Sequence, residues 1–502
     1  MLIQHLLERS VQLFADRTAV DDGERRWSFA ELSRQTASYA AALGRAGVKA
    51  GDRVALLSRN RAEYVALYFA AAQLGAVLVP LNWRLTPPEL STILEDAGPG
   101  LLVAEAGLAA GLGGRPHVDL DELLGVEADT AITTTGAPAA EPASDDAIAV
   151  QMYTSGTSGR PKGAMLTHRN CHSMTHAWLL DMPLEAGHRF LQVTPLFHVG
   201  GLLMVLSCVA SGATLRLLPE FDPVAAIDVL SDEPTTHTLM VPAMLEWLLA
   251  EPYLGDKQLA HLRLVIYGAA PIPPATLDRA RTRLGCDFLQ GYGLTESTGV
   301  LLTLTPRDHR DGDAARLASA GRAAPGCLVR VVDEHGGDVE IGEPGEIVAR
   351  GDNLSPGYWN DTGATADAWT DGWFHTGDLA RIDAHGYITV VDRIKDMILV
   401  GGENVYPREI ELVLLGHPDV RDAAVVGIPH DVWGEEVLAL VVLEPGQAQT
   451  DRSLTRHCRA ALARYKCPTR FQFVDELPRN AAGKLMKNEL RAPHWQGRSR
   501  LV

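Results

Sequence analysis

The chain has 502 residues, 46% hydrophobic and 22% charged, a balance that excludes a disordered, collagenous or coiled-coil protein. At about 150 residues per domain the length allows roughly three units, and a chain this long buries a core without a disulfide or metal staple. Lys and Arg number 45 against 63 Asp and Glu, a net charge of −18 that argues against non-specific binding to nucleic acid or anionic lipid. A small anionic ligand held by local donors remains compatible with that charge.

The first ten residues, MLIQHLLERS, lack the basic and apolar regions of a signal peptide, so a cytoplasmic location is expected. A helix is predicted over 29–46, a strand over 53–57, a helix over 61–74 and a strand over 77–80. The apolar run 64–81 is interrupted by Gln73 and Gly75, which favours a buried helix stopped at Gly75 and then a buried strand over a membrane span. No transmembrane segment is expected, and 199–210 is too short to be one. A linker rich in Thr, Ala and Pro is predicted at 133–146, followed by a strand over 147–152 and a helix starting near Thr167. Further apolar strands are expected over 214–218, 262–267 and 287–290. After about Ala320 short alternating runs broken by Gly and Pro predict a β-rich subdomain. From Lys395 the pattern returns to α/β on a smaller scale: helix 407–415, strands 422–427 and 437–443, helix 453–462. Strands alternating with helices favour mainly parallel sheets. The six cysteines form no C-x-x-C pair and read as reduced apolar fillers.

Four segments concentrate chemistry. Residues 153–163, YTSGTSGRPKG, offer hydroxyls at Thr154, Ser155 and Thr157, glycines including Gly156, and the cation of Lys162. Placed between a strand and a helix, this donor density favours phosphate binding over a plain surface loop. It is not a Walker A loop, because the spacing of that motif is absent. Residues 290–299, QGYGLTESTG, follow another strand. There Glu296 either holds Mg²⁺ beside phosphates or simply occupies a helix first turn capped by Thr295. In WFHTGD, Asp378 taken alone reads as a turn residue, although an acidic group in that position can accept ribose hydroxyls. In PRNAAGK, Lys484 alone reads as an exposed lysine. His168, His172 and His176 share a helix face, for which a solvated or packed role outweighs metal binding.

Taken together, in this order and spacing, the segments resemble the adenylate-forming superfamily of acyl-CoA synthetases, adenylation domains and luciferases. DRIKDMI and GGENVYP are similar to that superfamily's hinge and thioester loop. The resemblance spans nearly the whole chain and is nearest to fatty-acyl and 4-coumarate-type CoA ligases. It implies an α/β fold: a large N-terminal domain, 1–392, of mainly parallel sheets plus the β-rich subdomain, and a small mobile α+β C-terminal domain, 393–502. It implies ATP, Mg²⁺ and coenzyme A, and a reaction in two steps, acid to acyl-adenylate and then to thioester.

The resemblance also implies roles. Thr154, Ser155, Gly156, Thr157 and Lys162 would hold phosphates, while Gly268, Ala269, Ala270, Gln290, Gly291, Tyr292 and Gly293 would frame adenine. Asp378 and Arg393 would fix the ribose, and Thr295 and Glu296 would contact phosphate and metal. Lys484 would bridge the carboxylate and the α-phosphate, Lys395 would act as hinge, and Gly401 and Gly402 would make room for pantetheine. His198 would gate the acyl pocket of Val199, Gly200, Gly201, Tyr267, Gly299 and Val300, which reads as roomy and uncharged. The expected substrate is a medium or long fatty acid or another bulky apolar acid. An aryl or alicyclic acid, and transfer to a carrier-protein thiol, stand as alternatives; a homodimer is left open. A luciferase-like oxygenase and a silent nucleotide-binding relative are the readings from other classes.

Overall fold

The computed structural model describes residues 1–125, 144–155, 161–430, 432–479 and 485–496. Residues 133–143 of the expected linker lie outside them. The chain divides into two compact units, one of Met1–Ala269, Thr276–Val329 and Ala349–Phe374, the other of Ala270–Ala275, Arg330–Val348 and His375–Val502.

The first unit is built on two sheets. A six-stranded sheet runs in the order Val118–Asp119, Leu101–Ala104, Arg53–Leu57, Val77–Leu81, Ile148–Ser155, Pro161–Thr167. Among the described residues all its pairings are parallel except the last, an antiparallel hairpin. A nine-stranded sheet has a parallel centre, Thr18–Asp21, Thr214–Leu217, Arg189–Gln192, His237–Met240, Leu264–Gly268 and Asp287–Tyr292, with antiparallel strands at both edges. Helices supply the crossovers that parallel strands require.

Local chemistry sets the element ends. Ser28 and Glu31 form a reciprocal capping box that starts the helix Phe29–Arg45, the Ser28 N–H donating to Glu31 Oε2 at 2.8 Å. The helix Ala62–Leu74 is buried all round, and Gly75 ends it with φ 68°, a left-handed turn that glycine adopts without strain. The apolar run 64–81 is therefore a core helix and the buried strand Val77–Leu81. No helix among the described residues is long and apolar enough to cross a membrane. The run beginning at Val199 is the core helix Val199–Ser211.

The β-rich region holds a sheet ordered Leu328–Val332, Pro344–Arg350, Trp373–Ile382, Trp369–Thr370, with Ile388–Arg393 antiparallel to Trp373–Ile382. In the second unit the helix Pro407–Leu415 has the expected bounds. The strands Val420–His430 and Gly434–Leu443 run longer than expected because they form one continuous antiparallel hairpin. The final expected helix is Asp451–Ala461, shifted upstream because Thr450 caps it.

One local expectation changes. Residues 153–163 do not lead from a strand directly into a helix: Pro161–Thr167 first forms a second strand, and the helix His168–Asp181 begins only after it, capped by Thr167. The reason is pairing on both sides, since Gly163 O accepts the Trp359 N–H at 2.8 Å and the Met165 N–H donates to Gly357 O at 3.1 Å.

The histidine face of His168–Asp181 runs from buried His168 through half-buried His172 to exposed His176. His168 Nδ1 accepts the Ile3 N–H at 3.3 Å, and the His172 and His176 rings lie 4.3 Å apart. Among the described residues no group of His, Cys, Asp or Glu is arranged to hold a metal. All six cysteines are free.

Burial holds His168, His172, His198, His237 and His309 at about 4, below the ordinary histidine value near 6.5. The unfolded chain takes up protons on these rings that the folded chain refuses, so their contribution is full above about pH 6.5 and is lost as pH falls through about 4. The melting temperature is therefore expected to fall steadily between pH 7 and pH 4.5, a trend that calorimetry over that range measures directly.

Candidate active site

The hairpin Ile148–Ser155/Pro161–Thr167 presents the hydroxyl-rich loop. Thr154 pairs with Lys162 and Ser155 with Pro161, so the loop flanks are rigid ladder rather than free turn. The tip, with Gly156 and Thr157, lies outside the described residues. Beneath the hairpin, Tyr153 donates to Asp96 Oδ2 at 2.5 Å, Gln151 donates to Tyr153, and Arg53 donates to Gln151. The Arg53 guanidinium also stacks 3.3 Å from the Trp359 ring centroid.

Glu296 sits in the 3₁₀ turn Thr295–Ser297 just beyond strand Asp287–Tyr292. It is only 6% exposed, and its Oε1 accepts the Tyr358 hydroxyl at 2.7 Å. The turn is clamped by a neighbouring segment. Ser355 N–H donates to Glu296 O at 2.7 Å, Asn353 Nδ2 donates to Ser297 O and Val300 O, and Thr298 donates to Asn353 O. Asn170 in turn holds that segment through the Asp352 and Leu354 carbonyls, both at 2.8 Å. Lys162 Nζ lies 4.9 Å from the Tyr358 ring centroid. The structure thus brings together Lys162 and Glu296, two expected site residues far apart in sequence. Asn170, Asn353 and Tyr358, which do this, were not singled out by sequence; GDNLSPGYW read only as turn punctuation in a β-rich run.

A hard cation prefers oxygen donors. The Glu296 carboxylate, with Tyr358 on one oxygen and the Thr295 hydroxyl adjacent in the chain, fits such an ion by its donor chemistry.

The strands carrying the expected adenine residues are neighbours. Gly268 pairs with Gly291 and Tyr267 with Gln290. A side chain on Gly268 would strike the Gly291 carbonyl oxygen. Ala269 takes φ 64°, uncommon for a residue with a Cβ. Ala270 follows in the same bend, and belongs to the second unit. Tyr292 ends its strand half-buried, and a Cβ on Gly293 would lie 2.5 Å from Gly299 O.

On the acyl side, His198 caps the helix Val199–Ser211 without a side-chain bond, its ring 4.6 Å from Phe197. Burial, with the Arg84 cation adding to it, pushes the imidazole down to about 4, so it is neutral near pH 7. Its Nε2 is buried and has no hydrogen-bond partner among the described residues. Val199 and Leu203 face Gly299, while Trp178 and Val300 lie against Gly291, with the Trp178 ring 3.2 Å from a Cβ built there. Among the described residues nothing lies within 4 Å of a Cβ built on Gly200. Two expected pocket residues are placed differently. A Cβ on Gly201 would collide with the Pro195 carbonyl, so its smallness serves backbone packing rather than room for substrate. Tyr267 is fully buried against Phe288 and His309, bonded to His309 Nε2 at 2.9 Å and Gln290 at 3.2 Å. Trp178, a further neighbour of Gly291, carried no sequence signal beyond its place on a helix.

In the second unit, Asp378 and Arg393 are cross-strand partners, with Arg393 Nε 3.0 Å from Asp378 Oδ1 and Asp378 only 4% exposed. The turn before them is fixed by Glu346, which accepts from Gly377 N–H at 2.9 Å and pairs with His375 at 2.7 Å. Lys395 lies in the 3₁₀ turn Ile394–Asp396, and burial pushes its ammonium below the ordinary lysine value. Arg491 holds this turn from outside, reaching Lys395 O at 3.3 Å and Asp396 Oδ1 at 3.0 Å. Gly401 and Gly402, at φ 60° and 93°, form the exposed two-residue turn between Ile398–Val400 and Glu403–Val405. Lys484 lies outside the described residues.

Comparison with known proteins agrees with this layout. The family model described as AMP-binding enzyme matches residues 7–359, and that of the AMP-binding enzyme C-terminal domain matches 409–484. The chain is 40% identical over 491 residues to feruloyl-CoA synthase of Amycolatopsis sp, covering 96% of this chain and 97% of that protein. It is 38% identical over 486 residues to the fatty acid–[acyl-carrier-protein] ligase ScoC of Streptomyces coeruleorubidus, covering 95% and 93%. It is similar in structure to o-succinylbenzoate CoA synthetase of Bacillus subtilis in complex with the acyl-adenylate intermediate OSB-AMP, with TM-score 0.87, 33% identity and 97% of each chain covered. The chain belongs to the AMP-binding, adenylate-forming enzymes, within the family of AMP-forming CoA ligases.

Proposed function

We propose that this enzyme converts a bulky, mainly apolar carboxylic acid, a medium- or long-chain fatty acid first, to its CoA thioester at the expense of ATP. The observation that carries the reading is the acyl side: Val199, Leu203, Val300 and Trp178 surround Gly291 and Gly299, and Gly200 opens onto space, with no charged side chain among them. A dicarboxylic or very small acid would gain little from those apolar side chains. The Trp178 ring beside Gly291, together with the identity to feruloyl-CoA synthase, favours a second reading, an aryl or alicyclic acid. The likeness to ScoC keeps a carrier-protein thiol as an alternative acceptor. A cytoplasmic location and small-molecule partners, without nucleic acid, accord with this chemistry and with the net charge of −18.

In the first step a carboxylate oxygen bonds to the α-phosphorus of ATP and the bond to pyrophosphate breaks. Both reactants are anions, so positive charge must lie between them. Lys484 is assigned that place, and Lys162 with Thr154, Ser155, Gly156 and Thr157 the β- and γ-phosphates. Asp378 and Arg393 take the ribose; Gly268 to Ala270 and Gln290 to Gly293 take the adenine. Mg²⁺, when bound, neutralises phosphate charge, and Glu296 with Thr295 would hold it. In the second step the CoA sulfur bonds to the acyl carbon and AMP leaves, through an entry lined by Gly401 and Gly402 and gated by His198. The neutral imidazole adds no charge to that gate. We assign the domain boundary to 392/393, with Lys395 as the pivot between the two half-reactions.

An acid panel scored for CoA-dependent AMP release tests the substrate class. Octanoate, longer fatty acids and ferulate are expected to exceed acetate and malonate by at least tenfold in kcat/KM; acetate or malonate ahead would overturn the reading. Scoring with CoA and with a carrier protein in separate arms identifies the acceptor. Lys484→Ala is expected to lower pyrophosphate exchange by two to three orders of magnitude, while thioester formation from supplied acyl-adenylate largely survives. Equal loss in both half-reactions would remove Lys484 from its assigned step.

A further inference from the structure

We propose that Tyr358 is a positioning residue that aims the Glu296 carboxylate and seats the Lys162 ammonium beside it, so that the cation-binding and phosphate-binding groups act as one set. The inference rests on the reading above that Glu296 serves the metal and Lys162 the phosphates.

One side chain makes both contacts. The phenol donates to Glu296 Oε1 at 2.7 Å, and the face of the same ring lies 4.9 Å from Lys162 Nζ. Tyr358 can do this reliably because it is itself held. It is 9% exposed, its N–H donates to Thr365 Oγ1 at 3.0 Å, and the Trp369 ring packs edge-on at 5.5 Å. Its backbone bridges Ala164, and the next residue bonds Gly163 O at 2.8 Å, so the segment is stitched to the strand that carries Lys162. Three residues earlier, Ser355 N–H holds the Glu296 carbonyl. The same short stretch therefore grips the main chain of both segments while Tyr358 grips both side chains.

The chemistry suits the role. A buried carboxylate needs a donor, and the phenol satisfies one lone pair and fixes the rotamer while others remain for a cation. Partners of metal-ligating carboxylates typically alter metal affinity by 10–100-fold when removed. The ring contact is a cation–π attraction that survives loss of the hydroxyl.

These two contacts can be separated by mutation. ATP binding is measured by calorimetry at a series of Mg²⁺ concentrations and with no divalent cation, alongside melting temperatures. Tyr358→Phe keeps the ring; the Mg²⁺ needed for half-maximal tightening of ATP is expected to rise about tenfold, with cation-free ATP affinity unchanged. Tyr358→Met removes both contacts, and should show the same Mg²⁺ shift plus several-fold weaker cation-free binding; it also serves should Tyr358→Phe fail to fold. A purely structural tyrosine would lower the melting temperature without moving the Mg²⁺ response, and that result overturns the proposal. Glu296→Gln separates the two levels of the argument. If it shifts the Mg²⁺ response and Tyr358→Phe does not, the positioning role falls alone. If Glu296→Gln leaves the response unchanged, the metal assignment of Glu296 falls and takes the positioning role with it.

Discussion

A carboxylate taken out of water must be met by donors or cations, and much of this structure is arranged around that requirement. Glu296 is met by the Tyr358 phenol, and Asp378 by the Arg393 guanidinium. Glu411 is met by Lys487 at 2.8 Å and by the Val425 N–H, and Asp396 by Arg491. In the second unit the crowding changes proton affinities. Burial raises the Asp392 carboxyl above its ordinary value. Burial also pushes Asp396 up, but the Lys487 and Arg491 cations prevail and hold it below the ordinary carboxylate value. The Glu296–Tyr358, Glu411–Lys487 and Asp396–Arg491 matches join segments distant in sequence, so satisfying charge there also fixes geometry.

The same logic resolves the tension between an acidic protein and the nucleotide chemistry of its family. A net charge of −18 sets the long-range field, which salt screens within about 10 Å. On the function proposed above, an anion would be met by local donors, on the hairpin that carries Lys162 and on the strand pair that carries Arg393, each held by ladder hydrogen bonds. Rigid donors need little reorganisation as charge develops, which is why a few of them outweigh a diffuse opposing field.

On the acyl side, small residues have two uses that look alike in sequence. Gly200 opens onto space, whereas Gly201 lets the backbone at Pro195 approach the helix Val199–Ser211. Tyr267, equally suggestive in a strand-end motif, spends its ring and hydroxyl inside, on Phe288, His309 and Gln290. On the function proposed above, the acyl pocket would be bounded by Trp178 as well as by the residues of the motif itself.

Short windows carried a great deal. Apolar periodicity located the strand Arg53–Leu57, the helix Pro407–Leu415 and the buried helix stopped at Gly75, because helix and strand periods and a left-handed stop are properties of neighbouring residues. Donor density marked the loop 153–163, and motif order marked the superfamily. The second strand of the hairpin was not legible, because Pro161–Thr167 is strand only by virtue of partners on both sides, Ile148–Ser155 and residues 357–359. Nor was Tyr358, which meets Glu296 across 62 residues and Lys162 across a greater separation. The sequence by itself determined most of the elements, the family and the residue types available for chemistry. Which of those residues share a site, and which glycines make room rather than contact, was decided by tertiary packing, because a contact between distant segments leaves no period in either of them.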